Sequence, residues 1–300
     1  MRFSELHLDQ VVQNTHIQIS SSAIRNYLNA TGDDSDLYWP GNALTLAPPM
    51  AVAALTFQTL AQEVILEPGT LHTGQELSIH RLVPIGTVLA VQSRVGAFSK
   101  RRDMTSLTIE TTVHTTDGQP AMTGRMTLLI VAIDSPDTVP ASGVQLGPIP
   151  DDFTVAPKHY PLAPLSQGHV TPMTRTLTQE RINAYAVASG DDNPIHIDPH
   201  FAANSPFGTT IAHGMLVLSY LSTALTCDLG IEWLEHGYIK VRFRHPALVD
   251  STVTVGGTAE HKQEDAVQYA LYALQVINSA EDVLVTGVAR SRIGALISGA

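Results

Sequence analysis

Hydrophobic and polar residues alternate along this chain in two different rhythms, each occurring twice. Pro49 to Gln62 and His213 to Cys227 carry apolar residues at helical spacing and no Asp, Glu, Lys or Arg. Within the second, Gly214 to Leu225 is apolar nearly all round, which predicts a helix buried on most sides. Shorter helices are predicted ahead of each, over Ser22 to Asn29 and Thr178 to Ala188, the latter starting at a Thr178 cap. After each long helix the rhythm changes to β-branched runs split by turns. These are Val88 to Phe98, Met104 to Thr115 and Met122 to Ile133, then Tyr238 to Arg244, Thr252 to His261, Val267 to Asn278 and Val283 to Ile293. Asp117-Gly118 marks a hairpin turn among them. One buried helix followed by successive antiparallel strands predicts α+β architecture rather than βαβ units.

The two rhythms are two copies of one plan. Ala30-Thr-Gly-Asp-Asp-Ser-Asp-Leu-Tyr38 lies against Ala188-Ser-Gly-Asp-Asp-Asn-Pro-Ile-His196 at an offset of 158. Ala47-Pro-Pro-Met50 lies against Ala212-His-Gly-Met215 at 165, and Ile79 to Thr87 against Phe243 to Ser251 at 164. Three blocks in one order at nearly constant offset indicate a duplicated domain. Between the copies, Pro136, Pro140, Pro148, Pro150, Pro157, Pro161 and Pro164 exclude regular helix or central strand. The organisation read from this is a first repeat over 1–134, a Pro-rich linker over 135–168 that tracks along the surface, and a second repeat over 169–300.

Composition narrows the function classes. At 300 residues each half can bury its own core without disulfides or a structural metal. A single cysteine, Cys227, excludes a disulfide framework and any CxxC site. Because it ends an apolar helix, it is read as packing. A net charge of −11 argues against nucleic-acid binding. The charged fraction of 15% is low against a usual ~25%, which points to extensive burial and an internal interface. The uncharged stretches contain Pro, Gly, Ser and Thr, and the N-terminal MRFSELHLDQ has no apolar leader, so a cytoplasmic protein without a membrane span is expected.

The chemistry concentrates in Tyr185-Ala-Val-Ala-Ser-Gly-Asp-Asp-Asn-Pro-Ile-His-Ile-Asp-Pro-His200 and Ala212-His-Gly-Met215. Asp191 and His196 are five apart across an Asn-Pro turn that can fold their side chains toward one point. A carboxylate and an imidazole converging on one water can move protons at neutral pH. Gly214 opens the apolar helix, where unpaired N–H groups can hold a developing oxyanion. Together these are what adding water across an activated double bond requires. A second reading of the same stretch takes His196, Asp198 and His200 as alternate, same-facing metal ligands of an extended segment, although Pro199 interrupts it.

The run YAVASGDDNPIHIDP with IAHGM closely resembles the signature of MaoC-like, or type 2, (R)-specific enoyl-CoA hydratases, over about residues 170 to 295. The resemblance implies a double hot-dog fold: two antiparallel sheets, each wrapped on a buried helix and joined side by side. It implies interconversion of (R)-3-hydroxyacyl and trans-2-enoyl thioesters of CoA or an acyl-carrier protein, without cofactor or metal. Asp191 and His196 then hold the catalytic water and Gly214 N–H is the oxyanion donor, while Ser189, Asn193, His213 and Met215 shape the substrate side. The first half is similar to the degenerate repeat of the fungal-fatty-acid-synthase-like dehydratase group. There Asp33 persists, but Tyr38 stands for His196 and Pro49, which has no N–H, stands for Gly214. One site per chain follows, with the first half shaping room for a bulky or branched acyl tail, in a monomeric double hot-dog or a homodimer of it.

Two further readings stay open: a hydratase for a short dicarboxylic enoyl-CoA, which a first-half arginine in the acyl pocket would favour, and an acyl-thioester-binding subunit without turnover. Lys100-Arg101-Arg102 is either a solvated turn or a contact for CoA phosphates. Arg242 and Arg244 alternate with Val241 and Phe243 and are expected to face away from the core. No Gly-x-Ser-x-Gly, P-loop or Gly-x-Gly-x-x-Gly occurs, so serine hydrolysis, NTP use and dinucleotide binding lack support.

Overall fold

The computed structural model describes residues 1, 5–65, 70–101, 104–131, 144–162, 168–264 and 267–293. The first half runs β1 (Val11–Gln18), α1 (Ser21–Thr31), α2 (Pro49–Glu63), β2 (Thr70–Ile79), β3 (Val88–Arg101), β4 (Met104–Thr115) and β5 (Pro120–Val131). The second runs β6 (Met173–Thr176), α3 (Gln179–Ser189), the short helices α4 (Pro194–Ile197) and α5 (Pro199–Ala203), α6 (Gly214–Leu229), α7 (Ile231–His236), β7 (Tyr238–Phe243), β8 (Thr252–Glu264), β9 (Val267–Asn278) and β10 (Val283–Arg292).

All ten strands belong to one antiparallel sheet, in the order β1-β3-β4-β5-β2-β7-β10-β9-β8-β6. Each half lays its strands in the same internal order, first-third-fourth-fifth-second, and the halves meet through their second strands. The expected side-by-side sheets are therefore one continuous sheet, closed at the centre by β2 against β7. Gly74 to Ser78 pair there with Arg242 to Tyr238, and Leu77 and Ile239 are both buried beneath the seam. On the opposite face Lys240 reaches Glu76 at 3.0 Å and Tyr238 Oη donates to Glu76 Oε1 at 3.0 Å. Such half-exposed pairs add little, about 0–1 kcal/mol each, so the backbone ladder and the apolar face hold the seam.

The helix α6 is buried continuously from Leu216 to Leu229 and packs on β8 and β9, as its all-round apolar pattern predicts. Beside it, Trp233 of α7 is fully buried and donates its indole N–H to Ser222 Oγ at 3.0 Å. Both α1 and α3 end in a left-handed glycine, Gly32 at φ 68° and Gly190 at φ 70°, at the same offset of 158 that relates the sequence blocks. Thr178 Oγ1 accepts from Arg181 N at 3.2 Å, the expected cap. The isolated bridges Leu46 to Pro84 and Ile211 to Leu248 also correspond between halves. The duplication thus extends to individual turns.

Three strands escape the hydrophobic rhythm. The strands β1 (VVQNTHIQ) and β6 (MTRT) sit at the two sheet edges, where polar residues are tolerated. The strand β2 (TLHTGQELSI) buries Gln75 and breaks its own alternation with a bulge between His72 and Gly74. The linker also does more than track the surface. Lys158 bridges Ser35, His159 contacts Asp36 at 3.0 Å, Tyr160 Oη donates to Asp34 at 2.7 Å, and Arg181 stacks on Phe153 at 3.7 Å. It straps α1 and the following loop to the second half. Among the described residues no helix is long and apolar enough to cross a membrane.

The first-half counterpart of the Asp191–His196 pair is solid core. Tyr38 is fully buried, and its Oη donates to Asp33 Oδ2 at 3.1 Å and lies 3.3 Å from Thr226 Oγ1 of α6. The helix α2 begins at Pro49 after Pro48, so neither residue offers an N–H. Burial raises the Asp33 carboxyl to about 6, opposed by hydrogen bonds from Thr223, Tyr38 and Ser35. An acid with a raised folded pKa keeps its proton in the native state when the unfolded chain has lost it. Stability is therefore expected to fall as pH rises through about 4 to 6, by about 3 kcal/mol at most from this group. Asp33→Asn should flatten that slope relative to wild type in urea denaturation at pH 4 and pH 7.5; parallel slopes would exclude Asp33 as its source.

Candidate functional site

The site is assembled where α3 ends. Gly190 turns the chain out of the helix, and Ser189 Oγ, bonded back to the Tyr185 carbonyl at 2.7 Å, also accepts from Asp191 N at 3.3 Å. Asn193 then caps the one-turn helix α4, accepting from Ile195 N at 3.2 Å, with Pro194 at the first helical position. Its amide reaches across to the Thr70 carbonyl of β2 at 3.3 Å, tying the loop to the other half. This single turn presents His196 from a buried position.

The ring of His196 has one tautomer available. Nδ1–H donates to the Ile211 carbonyl at 2.8 Å, so Nε2 carries a free lone pair. Burial lowers the pKa of His196, with Asp191 and the Ile211 contact opposing the shift, so the ring is neutral at pH 7. Behind it His213 lies stacked at 3.9 Å between ring centroids and donates Nε2–H to the Asp191 carbonyl at 2.9 Å. Burial and the neighbouring His196 push its pKa well down, and its Nδ1 is buried without a partner.

The helix α6 points its N-terminus at the same place. Gly214 is its first residue, and Gly214 N–H has no hydrogen-bond acceptor among the described residues. The Phe243 ring covers the glycine so closely that a Cβ there would lie 3.0 Å from Phe243 Cζ. A cavity of about 230 Å³ opens between these groups. Asp191, Asn193, His196, Gly214 and Met215 line it; Ser189 and His213 do not, and instead hold the loop from behind.

Part of the wall comes from the other repeat. Phe57 of α2, Thr70 to Thr73 of β2 and Leu128 of β5 all face the cavity, and no arginine is among them, which removes the feature that would favour a dicarboxylic substrate. His72 is a polar member of this wall that no sequence motif marks, since its inward position depends on the bulge in β2. Arg244 and His245 border the cavity at exposed positions, so Arg244 is placed at the mouth although it faces away from the core as expected. Arg242 is exposed, and Lys100 is exposed at the end of β3; Arg102 lies outside the described residues.

The extended His-x-Asp-x-His reading does not survive folding. Residues 194–197 and 199–203 are helical, Asp198 Oδ1 caps α5 by accepting from His200 N and Phe201 N, and His200 is exposed. A different trio, Asp191, His196 and His213, brings one ligand atom each within 4.8 Å of the others. The two imidazoles stack with centroids 3.9 Å apart and planes tilted by 31°, and His213 does not line the cavity, its free Nδ1 being sealed in the core. The arrangement suits proton handling better than ligation.

Fold and site together define a double hot-dog protein with an open cavity at the junction of its halves. Residues 163–279 match the MaoC like domain and residues 9–124 the FAS1-like dehydratase domain region. The second repeat thus carries a MaoC-like dehydratase domain and the first a FAS1-like dehydratase region. Among curated proteins it is similar to 3-hydroxyacyl-thioester dehydratase Z of Mycobacterium tuberculosis (strain CDC 1551 / Oshkosh), 44% identical over 82 residues covering 26% of this chain and 54% of that one. It is also similar to the (R)-specific enoyl-CoA hydratase of Aeromonas caviae, 29% identical over 125 residues, 42% of this chain and 92% of that one. The chain spans about half the length of the first of these relatives. A solved structure of a MaoC-like dehydratase superposes with a TM-score of 0.74 at 17% identity, covering 97% of this chain and 99% of that chain, a likeness of fold.

The tautomers are open to measurement. Nitrogen NMR of histidine-labelled protein at pH 7 should give His196 as the Nδ1–H form and His213 as the Nε2–H form, both neutral. A protonated His196 at pH 7 would contradict the site geometry.

Proposed function

We propose that the chain interconverts (R)-3-hydroxyacyl and trans-2-enoyl thioesters by removing or adding water at one site, in the second repeat. The observation that carries this reading is the convergence, on one cavity, of an unprotonated imidazole nitrogen, a carboxylate and a helix N-terminal N–H without an acceptor. In hydration, Gly214 N–H binds the thioester carbonyl oxygen and makes C3 electrophilic. His196 Nε2 takes one proton from water as the oxygen bonds to C3, and the π electrons pass through C2 onto the bound oxygen. The imidazolium then returns that proton to C2 as the carbonyl reforms. Asp191 offsets the positive charge on His196 while it lasts, and Asn193 keeps the loop in place. Dehydration is the reverse.

The names of the similar proteins, a 3-hydroxyacyl-thioester dehydratase and an (R)-specific enoyl-CoA hydratase, support this chemistry and its hand. Acyl-CoA or acyl-carrier-protein thioesters are the partners it implies, in a cytoplasmic setting. The repeat boundaries 1–134, 135–168 and 169–300 belong to the same proposal, with the first repeat as pocket wall. The seam already brings that wall to the site within one chain, so a monomer is competent and a homodimer is not required.

Asp191→Asn and His196→Gln should each lower turnover of crotonyl-CoA by about 10²-fold or more, with the fold retained by circular dichroism. Tyr38→His should leave the rate unchanged, because Pro48 and Pro49 still offer no oxyanion donor. Wild-type binding of crotonyl-CoA without loss of its enoyl absorbance would move the chain to a non-catalytic acyl-thioester binder.

A further inference from the structure

The bulge in β2 has a chemical result. His72 stands opposite Leu128 and Gly74 opposite Thr127, leaving Thr73 as the extra residue. Gln75, Leu77 and Ile79 mark the inward row of this strand, and a one-residue slip puts His72, two before Gly74, in phase with it. The side chain lines the same cavity as Asp191, His196 and Gly214. Its Nε2–H donates to the Gly74 carbonyl at 2.9 Å, and its ring leans on Phe243 at 5.1 Å between centroids and 55°. Phe243 in turn covers Gly214. With Nε2 committed to the Gly74 carbonyl, Nδ1 is left as the ring's acceptor, and Gln75 is the neighbouring side chain that reaches the ring.

We propose that His72 is a positioning residue for the oxygen at C3: Nδ1 accepts the hydrogen bond of the 3-hydroxyl group, and in hydration that of the water which becomes it. The inference rests on the hydratase reading above. Its logic is the geometry of a leaving oxygen. A hydroxyl that gives its one proton to His72 must turn a lone pair elsewhere, and His196, in its protonated form, is the group that has to protonate that lone pair before water departs. Asp191 is needed beside the imidazolium and is not free for this task. Burial pushes the His72 pKa down to about 4, against the opposing pull of the Gly74 carbonyl, Asp191 and Gln75, so the ring stays an acceptor throughout the neutral range. The first repeat thereby contributes a polar contact to the reaction as well as an apolar wall. A purely structural His72 would affect every ligand alike.

The test compares two ligands that differ only by the hydroxyl. In a His196→Gln background, which blocks turnover, calorimetric titration measures (R)-3-hydroxybutyryl-CoA against butyryl-CoA. Adding His72→Phe keeps the ring contact with Phe243 and removes the acceptor. It should weaken the hydroxyacyl ligand about 10-fold, about 1.4 kcal/mol, and leave butyryl-CoA within about twofold. In otherwise wild-type protein His72→Phe should lower kcat by about 10-fold or more, and His72→Gln, which retains an acceptor oxygen, should recover part of it. Equal weakening of both ligands, or no weakening of the hydroxyacyl one, overturns the proposal. Should His72→Phe not fold, His72→Met supplies the same comparison. Wild-type protein that neither hydrates nor dehydrates would instead overturn the hydratase reading, and this inference with it.

Discussion

Everything at the site depends on the pairing of β2 with β7. The ladder from Gly74 to Ser78 against Arg242 to Tyr238 is the join between two sheets that could otherwise stand apart. It sets Thr70 to Thr73 of one repeat across from Phe243 to Ala247 of the other, and the cavity is the space between them and the N-terminus of α6. Register is what fixes this: a slip of β2 by one residue would turn Leu77 outward and carry His72 away from the site. The loop bearing Asp191 and His196 is tied to the same strand by the Asn193 amide on the Thr70 carbonyl. Stability of the seam and geometry of the site are therefore one constraint.

Duplication explains why only one of two equivalent places is open. In the first repeat Tyr38 reaches into the position that His196 holds in the second, and its hydroxyl closes on Asp33 and on Thr226 of α6. The long helix of one half thus fills what would be the cavity of the other. In the second repeat Phe57 of α2 occupies a place on the cavity wall but leaves the space unfilled. A buried carboxylate is tolerated at Asp33 because Tyr38, Thr223 and Ser35 donate to it. The first copy keeps the acid as a hydrogen-bonded core group after losing both the imidazole and the helix N–H. It reaches the cavity through α2, β2 and β5.

Legibility in the sequence followed local determinism. Gly32, Gly190 and the Thr178 cap have roles fixed by backbone geometry within a few residues, and the helices expected over Ser22 to Asn29 and Thr178 to Ala188 are found over Ser21–Thr31 and Gln179–Ser189. The Asp-x-Asn-Pro-x-His turn is similarly self-contained, because Asn193 caps its own helix and Pro194 starts it. The strand β2 was illegible for the opposite reason. Its alternation is broken by a bulge that only the partner strand defines, and its buried Gln75 imitates a surface position. His72 therefore carries no sequence signal. The extended reading of His196 to His200 failed because Pro194 and Pro199 each start a helical turn, which a strand-period argument cannot see. Ser189 and His213 lie within the motif, yet their hydrogen bonds point to the backbone of the loop instead of the cavity.

The three histidines share one device. His196 gives Nδ1–H to Ile211, His213 gives Nε2–H to Asp191, and His72 gives Nε2–H to Gly74, each to a backbone carbonyl. A carbonyl can only accept, so each contact holds a proton on one named nitrogen and strips it from the other. Burial then lowers all three pKa values, which keeps the second nitrogen bare. For His213 the bare nitrogen is sealed in the core, and the ring serves as a platform for His196. For His196 and His72 it belongs to residues lining the cavity, one from each repeat. Proton acceptors are thus created by fixing tautomers through backbone carbonyls. Such a site needs the backbone to be correct before any side chain can be, and that is what the duplicated fold and its central ladder supply.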